Sequence, residues 1–223
     1  MNVPAYRRIG KEDLAAFDKL HRVTLVNALP GFKSANLIGT VDAAGRTNLA
    51  VFSSVIHLGS SPALMGFVTR PTTVDRHTYA NIRTSGYYTI NHVPVTHVRN
   101  AHQTSARYEA STSEFDACHF TAFYTDAHPA PYVAESPVRL GMRYLEHYQI
   151  EANGTILVVG EVIEALVPVG SVAGDGHLDL VEAGTALISG LDTYLRAEPI
   201  ARFAYAKPGT ATHELRKERR AAN

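Results

Sequence analysis

Apolar positions along the chain recur in two rhythms. Between Lys11 and Leu29 they fall at Leu14, Phe17, Leu20 and Leu25, behind an acidic front of Glu12 and Asp13. That spacing predicts one amphipathic helix with acids in its first turn. Pro30-Gly31 ends it. Beyond residue 33 the rhythm changes to short runs of β-formers separated by turn residues. Strands are expected at Ser34–Val41 and Thr47–Ser54, joined by the polar turn Asp42-Ala43-Ala44-Gly45-Arg46, where Gly45 supplies a positive φ. A third strand, Ala63–Thr69, follows the Ser60-Ser61-Pro62 break. The first half therefore opens as an antiparallel meander.

Val74–Arg83 reads as a short helix, with Thr72 or Thr73 as N-cap and Gly86 just past its end. Tyr87–His92 reads as a strand and Val95–Ser105 as a weakly helical stretch. Glu109–Tyr132 is polar, is broken by Pro129 and Pro131, and is expected to be a long surface excursion. Val138–Ile150 and Thr155–Val167 flank Asn153-Gly154, a strong hairpin signal. Gly170–Gly176 is a loop, Ile200–Tyr205 a last short strand, and Glu214–Asn223 a charged, fraying tail. Strands come in hairpins and helices decorate them, so the expected class is mainly β. A small closed antiparallel barrel fits better than a parallel sheet, because closure removes vulnerable edges.

The 223 residues suffice for one sizeable core. Lys plus Arg number 21 and Asp plus Glu number 21, so no global positive field draws in nucleic acid or an anionic membrane. The single cysteine, Cys118, excludes an internal disulfide and a Cys-only metal cluster in one chain, and a reducing cytoplasm is the expected location. No run approaches the ~20 apolar residues of a membrane helix. The histidines show no metal-ligand spacing such as His-Glu-x-x-His. No Gly-x-Gly-x-x-Gly, Walker loop or Gly-x-Ser-x-Gly elbow is present.

Three constellations carry candidate chemistry. In Asn48-Leu49-Ala50-Val51-Phe52-Ser53-Ser54, an apolar strand ends in two hydroxyls. Its backbone can read the edge of a flat cofactor while Ser53 and Ser54 bond an attached chain, or it is an ordinary barrel strand. Thr69, Arg70, Arg76, His77 and Thr78 place guanidinium groups and hydroxyls beside a helix start, which suits a phosphate monoester or, equally, a solvated helix end. Tyr205 and Lys207, in Phe203-Ala204-Tyr205-Ala206-Lys207-Pro208, can close over a planar ring or simply pack a turn.

The run Asn36 to Asn91 resembles the flavin-reductase-like family. It carries Asp42 to Gly45, then Asn48 to Ser54, then His77-Thr78-Tyr79-Ala80-Asn81-Ile82-Arg83-Thr84-Ser85-Gly86 leading to Asn91. Ser113-Glu114-Phe115-Asp116, Glu135-Ser136-Pro137-Val138, Val158-Val159-Gly160-Glu161-Val162, Gly190-Leu191-Asp192-Thr193-Tyr194 and Tyr205-Ala206-Lys207-Pro208-Gly209 continue the likeness downstream. The chain departs where Ala50 replaces a frequent Pro and where His77 replaces an Asp before Thr78.

The resemblance implies a six-stranded antiparallel Greek-key split barrel at 33–210, preceded by a helical extension at 1–32 and followed by a charged tail at 211–223. It further implies a homodimer binding FMN, with FAD the alternative, near the subunit interface. Asn48, Leu49, Ala50, Val51, Phe52, Ser53 and Ser54 would meet the ring and ribityl chain. Thr69, Arg70, Arg76, His77 and Thr78 would surround the phosphate, Asn81 would support that loop, and Tyr205 and Lys207 would approach from the far end. The implied activity is NAD(P)H-dependent flavin reduction, with electrons passing to free flavin, a partner oxygenase or a ferric chelate. A non-catalytic flavin carrier and a pyridoxamine-phosphate-oxidase-like enzyme are its rivals. No catalytic side chain and no metal are expected, since the flavin does the redox chemistry.

Overall fold

The computed structural model describes residues 5–215. Its elements are α1 (Lys11–Ala16), α2 (Lys19–Ala28), β1 (Lys33–Ser34), β2 (Asn36–Val41), β3 (Thr47–Phe52), β4 (Ile56–Ser60), β5 (Ala63–Thr69), α3 (His77–Ser85), β6 (Tyr87–His92), α4 (Val98–Gln103), α5 (Glu114–Ala117), β7 (Ala122–Thr125), β8 (His128–Val133), β9 (Arg139–Ile150), β10 (Thr155–Leu166), β11 (Ala186–Ser189) and β12 (Thr193–Arg196).

The expected N-terminal helix is two helices. Asp18 breaks it, because its side chain accepts the backbone N–H groups of Leu20 and His21 and so starts a new helix at Lys19. Neither α1 nor α2 buries a residue, and Leu20 is 76% exposed. Leu14, Phe17 and Leu25 of the predicted apolar face are half-buried, and among the described residues none of them joins a buried core.

Seven antiparallel strands form the main sheet in the order β3-β2-β6-β9-β10-β5-β4. The meander expected from the sequence is not formed, because β3 pairs with β2 at one edge and β5 pairs with β10 near the other. β4, absent from the sequence reading, supplies the seventh strand. The two edges do not join by a ladder. The Ser54 hydroxyl spans them instead, donating to the Val68 carbonyl at 3.0 Å and accepting the Val68 N–H at 3.1 Å. Phe52 packs edge-on against Phe67 beside it, with ring centroids 5.0 Å apart. The barrel is thus split along β3.

Ile38, Phe67, Ile82, Tyr88, Ile90, Met142, Ile156 and Val158 fill the barrel. Ile82 belongs to α3, so this helix plugs one end. A second core, including Leu37, Leu49, Phe115, Phe120 and Val133, lies on the outer face under α4, α5 and β8. The 109–132 segment is only partly the surface excursion expected. Phe115, Cys118, Phe120, Ala130 and Tyr132 are buried, and β8 crosses the sheet where two glycines leave room. A Cβ on Gly39 would stand 2.3 Å from the Pro131 carbonyl oxygen, and one on Gly141 would stand 2.3 Å from the Tyr132 hydroxyl. Thr89 donates its hydroxyl to the Pro131 carbonyl at 2.6 Å.

The Asn153-Gly154 hairpin forms as expected, with Gly154 at φ 72°. The helix expected at Val74 starts at His77, and neither Thr72 nor Thr73 caps it. Ile200–Tyr205 is not a regular strand. Only Phe203 and Glu214 form a bridge there, in a loop that also joins Ala204 to His213 and Leu215 to Arg202. The expected fraying tail lies outside the described residues beyond Leu215.

Candidate functional site

The turn 42–46 aims the start of β3. Asp42 accepts the N–H groups of Ala44 and Arg46 through Oδ1 and the Arg46 Nε through Oδ2, and Gly45 sits at φ 80°. These bonds hold the Asp42 carboxyl below the usual carboxylate range. β3 then runs along the edge of the sheet with α3 beside its beginning. The Asn48 amide donates to the Thr78 hydroxyl at 3.1 Å, and the Asn81 amide donates to the Thr40 hydroxyl at 3.1 Å. The early strand and the basic helix start therefore meet. Asp42, Arg46, Thr47, Asn48, His77, Asn81, Ala110 and Thr112 line an open cleft at their junction.

The start of α3 combines uncapped backbone donors with nearby positive charge. Its N-cap, Arg76, makes no side-chain capping bond, which leaves the N–H groups of the first turn free of side-chain partners. Arg76 donates Nε to the Pro71 carbonyl at 3.2 Å, fixing the 70–76 loop and freeing the rest of its guanidinium. Burial lowers the Arg76 pKa, and the positive charges of Arg70 and Arg107 lower it further. Three arginines thus share one region, and among the described residues none of them forms an ion pair. Such a cluster favours an anion of high charge density.

Strand alternation sorts the β3 residues. Leu49 is fully buried in the outer core and Val51 packs against it, so their side chains do not face a ligand. Ala50 stands opposite Ile38, and Phe52 lies against the barrel interior. Because β3 pairs on one side only, the backbone groups of alternate residues face away from the sheet. Glu114 Oε2 accepts one of these, the Leu49 N–H, at 2.9 Å. Val51 and Ser53 present theirs in the same direction. Ser54 is committed to Val68, whereas Ser53 makes no side-chain hydrogen bond among the described residues.

Thr69 is buried at the end of β5 and Arg70 is exposed just beyond it. Tyr205 and Lys207 are not brought to this site. Tyr205 is 91% exposed, and no hydrogen bond or ring contact joins either residue to β3 or α3. Arg107 and Glu114 are the residues that sequence reasoning missed. Glu114 lies in the stretch read as a surface excursion, within the quoted Ser113-Glu114-Phe115-Asp116 segment, and Arg107 lies just before that stretch.

Among the described residues no helix is long and apolar enough to cross a membrane. A sequence model described as the flavin reductase like domain matches residues 29–177. A split-barrel-domain protein from Shewanella frigidimarina NCIMB 400, provisionally named a flavin reductase, superposes with a TM-score of 0.87 at 45% identity, covering 90% of this chain and 100% of that one. Nitrilotriacetate monooxygenase component B from Bacillus cereus has a TM-score of 0.76 at 15% identity, covering 88% and 98%. An FMN-binding protein from Thermus thermophilus has a TM-score of 0.67 at 16% identity, covering 90% and 100%. The latter two show likeness of fold.

Proposed function

Because this chain belongs to the flavin reductase-like family, we propose that it binds FMN along β3 and reduces flavin at the expense of NAD(P)H. The observation that carries this reading is the unpaired arginine cluster at the uncapped start of α3, adjoining the free edge of β3. The residues fit the group. Arg70, Arg76, Arg107 and the first turn of α3 hold a phosphate dianion. Thr69, Thr78 and His77 complete its surroundings, while Asn48 ties the helix to β3 and Asn81 ties it to β2. The outward backbone groups of Val51 and Ser53 meet the polar edge of the ring, and the Ser53 hydroxyl serves the ribityl chain. Leu49, Ala50, Phe52 and Ser54 shape the strand beneath rather than donate to the ligand.

When bound, FMN supplies the redox chemistry, taking a hydride from NAD(P)H and a proton from water. The protein holds the ring, leaves one face open and tunes its charge, so no dedicated general base is required. FAD is the alternative flavin. The electrons would go on to a free flavin, a ferric chelate or a partner oxygenase, the last in keeping with the monooxygenase component among the fold relatives. The same reading includes a cytoplasmic homodimer built from the 33–210 domain, in which Tyr205 and Lys207 of one copy lie against the other. The 1–32 extension and the 211–223 tail flank that domain.

An NADH and NADPH oxidation assay with added FMN tests the activity. A rate no higher than that of free flavin defeats the reductase reading and leaves a carrier.

A further inference from the structure

Glu114 is 6% exposed and forms no ion pair among the described residues. Its carboxylate accepts the Leu49 N–H at 2.9 Å, and the neighbouring Ser113 hydroxyl bonds the Thr47 hydroxyl at 2.6 Å. α5 therefore grips the outward edge of β3 at two points, one strand repeat apart. The Leu49 donor lies in the same outward row as those of Val51 and Ser53. Left unmatched, it would be a buried, orphaned N–H. A neutral amide oxygen would also accept that bond, less strongly than a carboxylate but enough to satisfy the donor. An unpaired buried charge is costly, so the fold alone does not call for a charged group here.

We infer that Glu114 is a positioning residue for the flavin edge strand and that its charge sets the electron affinity of the flavin held there. This rests on the FMN reading above. The Leu49 bond fixes the depth and direction of the Val51 and Ser53 donors. A carboxylate held beside that strand edge would oppose the negative charge that reduction adds, and so would lower the reduction potential of a flavin bound there.

Two variants separate the roles. Glu114→Gln keeps the acceptor and removes the charge. FMN affinity should stay within about threefold of wild type, while the preference for reduced over oxidised FMN rises about tenfold, a positive shift of ~30 mV for a two-electron couple. An unchanged potential in this variant overturns the electrostatic role. Glu114→Asp keeps the charge on a side chain too short to reach Leu49. It should leave the potential at the wild-type value, weaken FMN about tenfold, and speed hydrogen exchange of the Leu49 amide in the flavin-free protein. Unchanged exchange in Glu114→Asp overturns the positioning role, whether or not Glu114→Gln folds. Wild-type protein that takes up no FMN, yet shows the exchange difference, removes the FMN reading and leaves the strand grip standing.

Discussion

Replacing Arg76 by alanine removes the guanidinium that stands at the N-cap of α3. Arg76 is half-buried, and its Nε bond to Pro71 aims the fork rather than neutralising it. A unit charge pair at ~4 Å with an effective dielectric of ~20 sets a ceiling of about 4 kcal/mol. Hydrogen bonds to charged groups contribute about 1.5–3 kcal/mol in practice. Arg70, Arg107 and the helix start remain to bind the anion, so the lower half of that range applies. A loss of about 2 kcal/mol is expected, roughly a 30-fold weaker FMN complex. Riboflavin lacks the phosphate and should bind the variant within about twofold of wild type. Titrations of both ligands, followed by flavin fluorescence at two salt concentrations, give the answer. The FMN loss should shrink at the higher salt, where the attraction between Arg76 and the phosphate in the wild type is itself screened. Equal losses for FMN and riboflavin would refute the phosphate assignment.

Three further outcomes follow from the same structure. Gly39→Ala forces a methyl against the Pro131 carbonyl and should destabilise the protein by about 3 kcal/mol, lowering the Tm by roughly 6–12 °C in a thermal melt; an unchanged Tm would show that β8 does not pack so closely. His92 is pushed down to about 4 by burial, so the native state holds it neutral while the unfolded chain is protonated below about 6.5. Its contribution is full above pH 6.5 and is lost as pH falls towards 4, by about 2 kcal/mol given its partial exposure, and His92→Gln should flatten that slope in urea melts. Sedimentation of the full chain should give a dimer, and Tyr205→Glu should weaken it; a monomer at micromolar concentration in the wild type contradicts the assembly.

What could be seen in the sequence was what local chemistry decides. The Asn153-Gly154 turn, the Asp42–Arg46 turn and the left-handed Gly86 after α3 each follow from a few adjacent residues. β8 was illegible because Pro129 and Pro131 suggest a loop, and the gap that accepts this strand is made by Gly39 and Gly141, far away in sequence. Thr72 and Thr73 have good capping chemistry, but the chain after Pro71 is held by the Arg76 bond and turns helical only at His77. Ile200–Tyr205 has strand-forming residues and no sheet edge to join. The meeting of β3 with α3 was recognisable from their motifs. Arg107 and Glu114 were not, because a polar stretch carries no local sign of the strand it will fold against.

The central claim is that a phosphorylated flavin lies on the edge of β3 with its phosphate at the start of α3. A crystal structure of the protein with FMN tests this most directly. Phosphate oxygens should lie within hydrogen-bond distance of Arg76, of Arg70 or Arg107, and of the first-turn N–H groups of α3. Phosphate density elsewhere, with this cluster left to solvent, would contradict it.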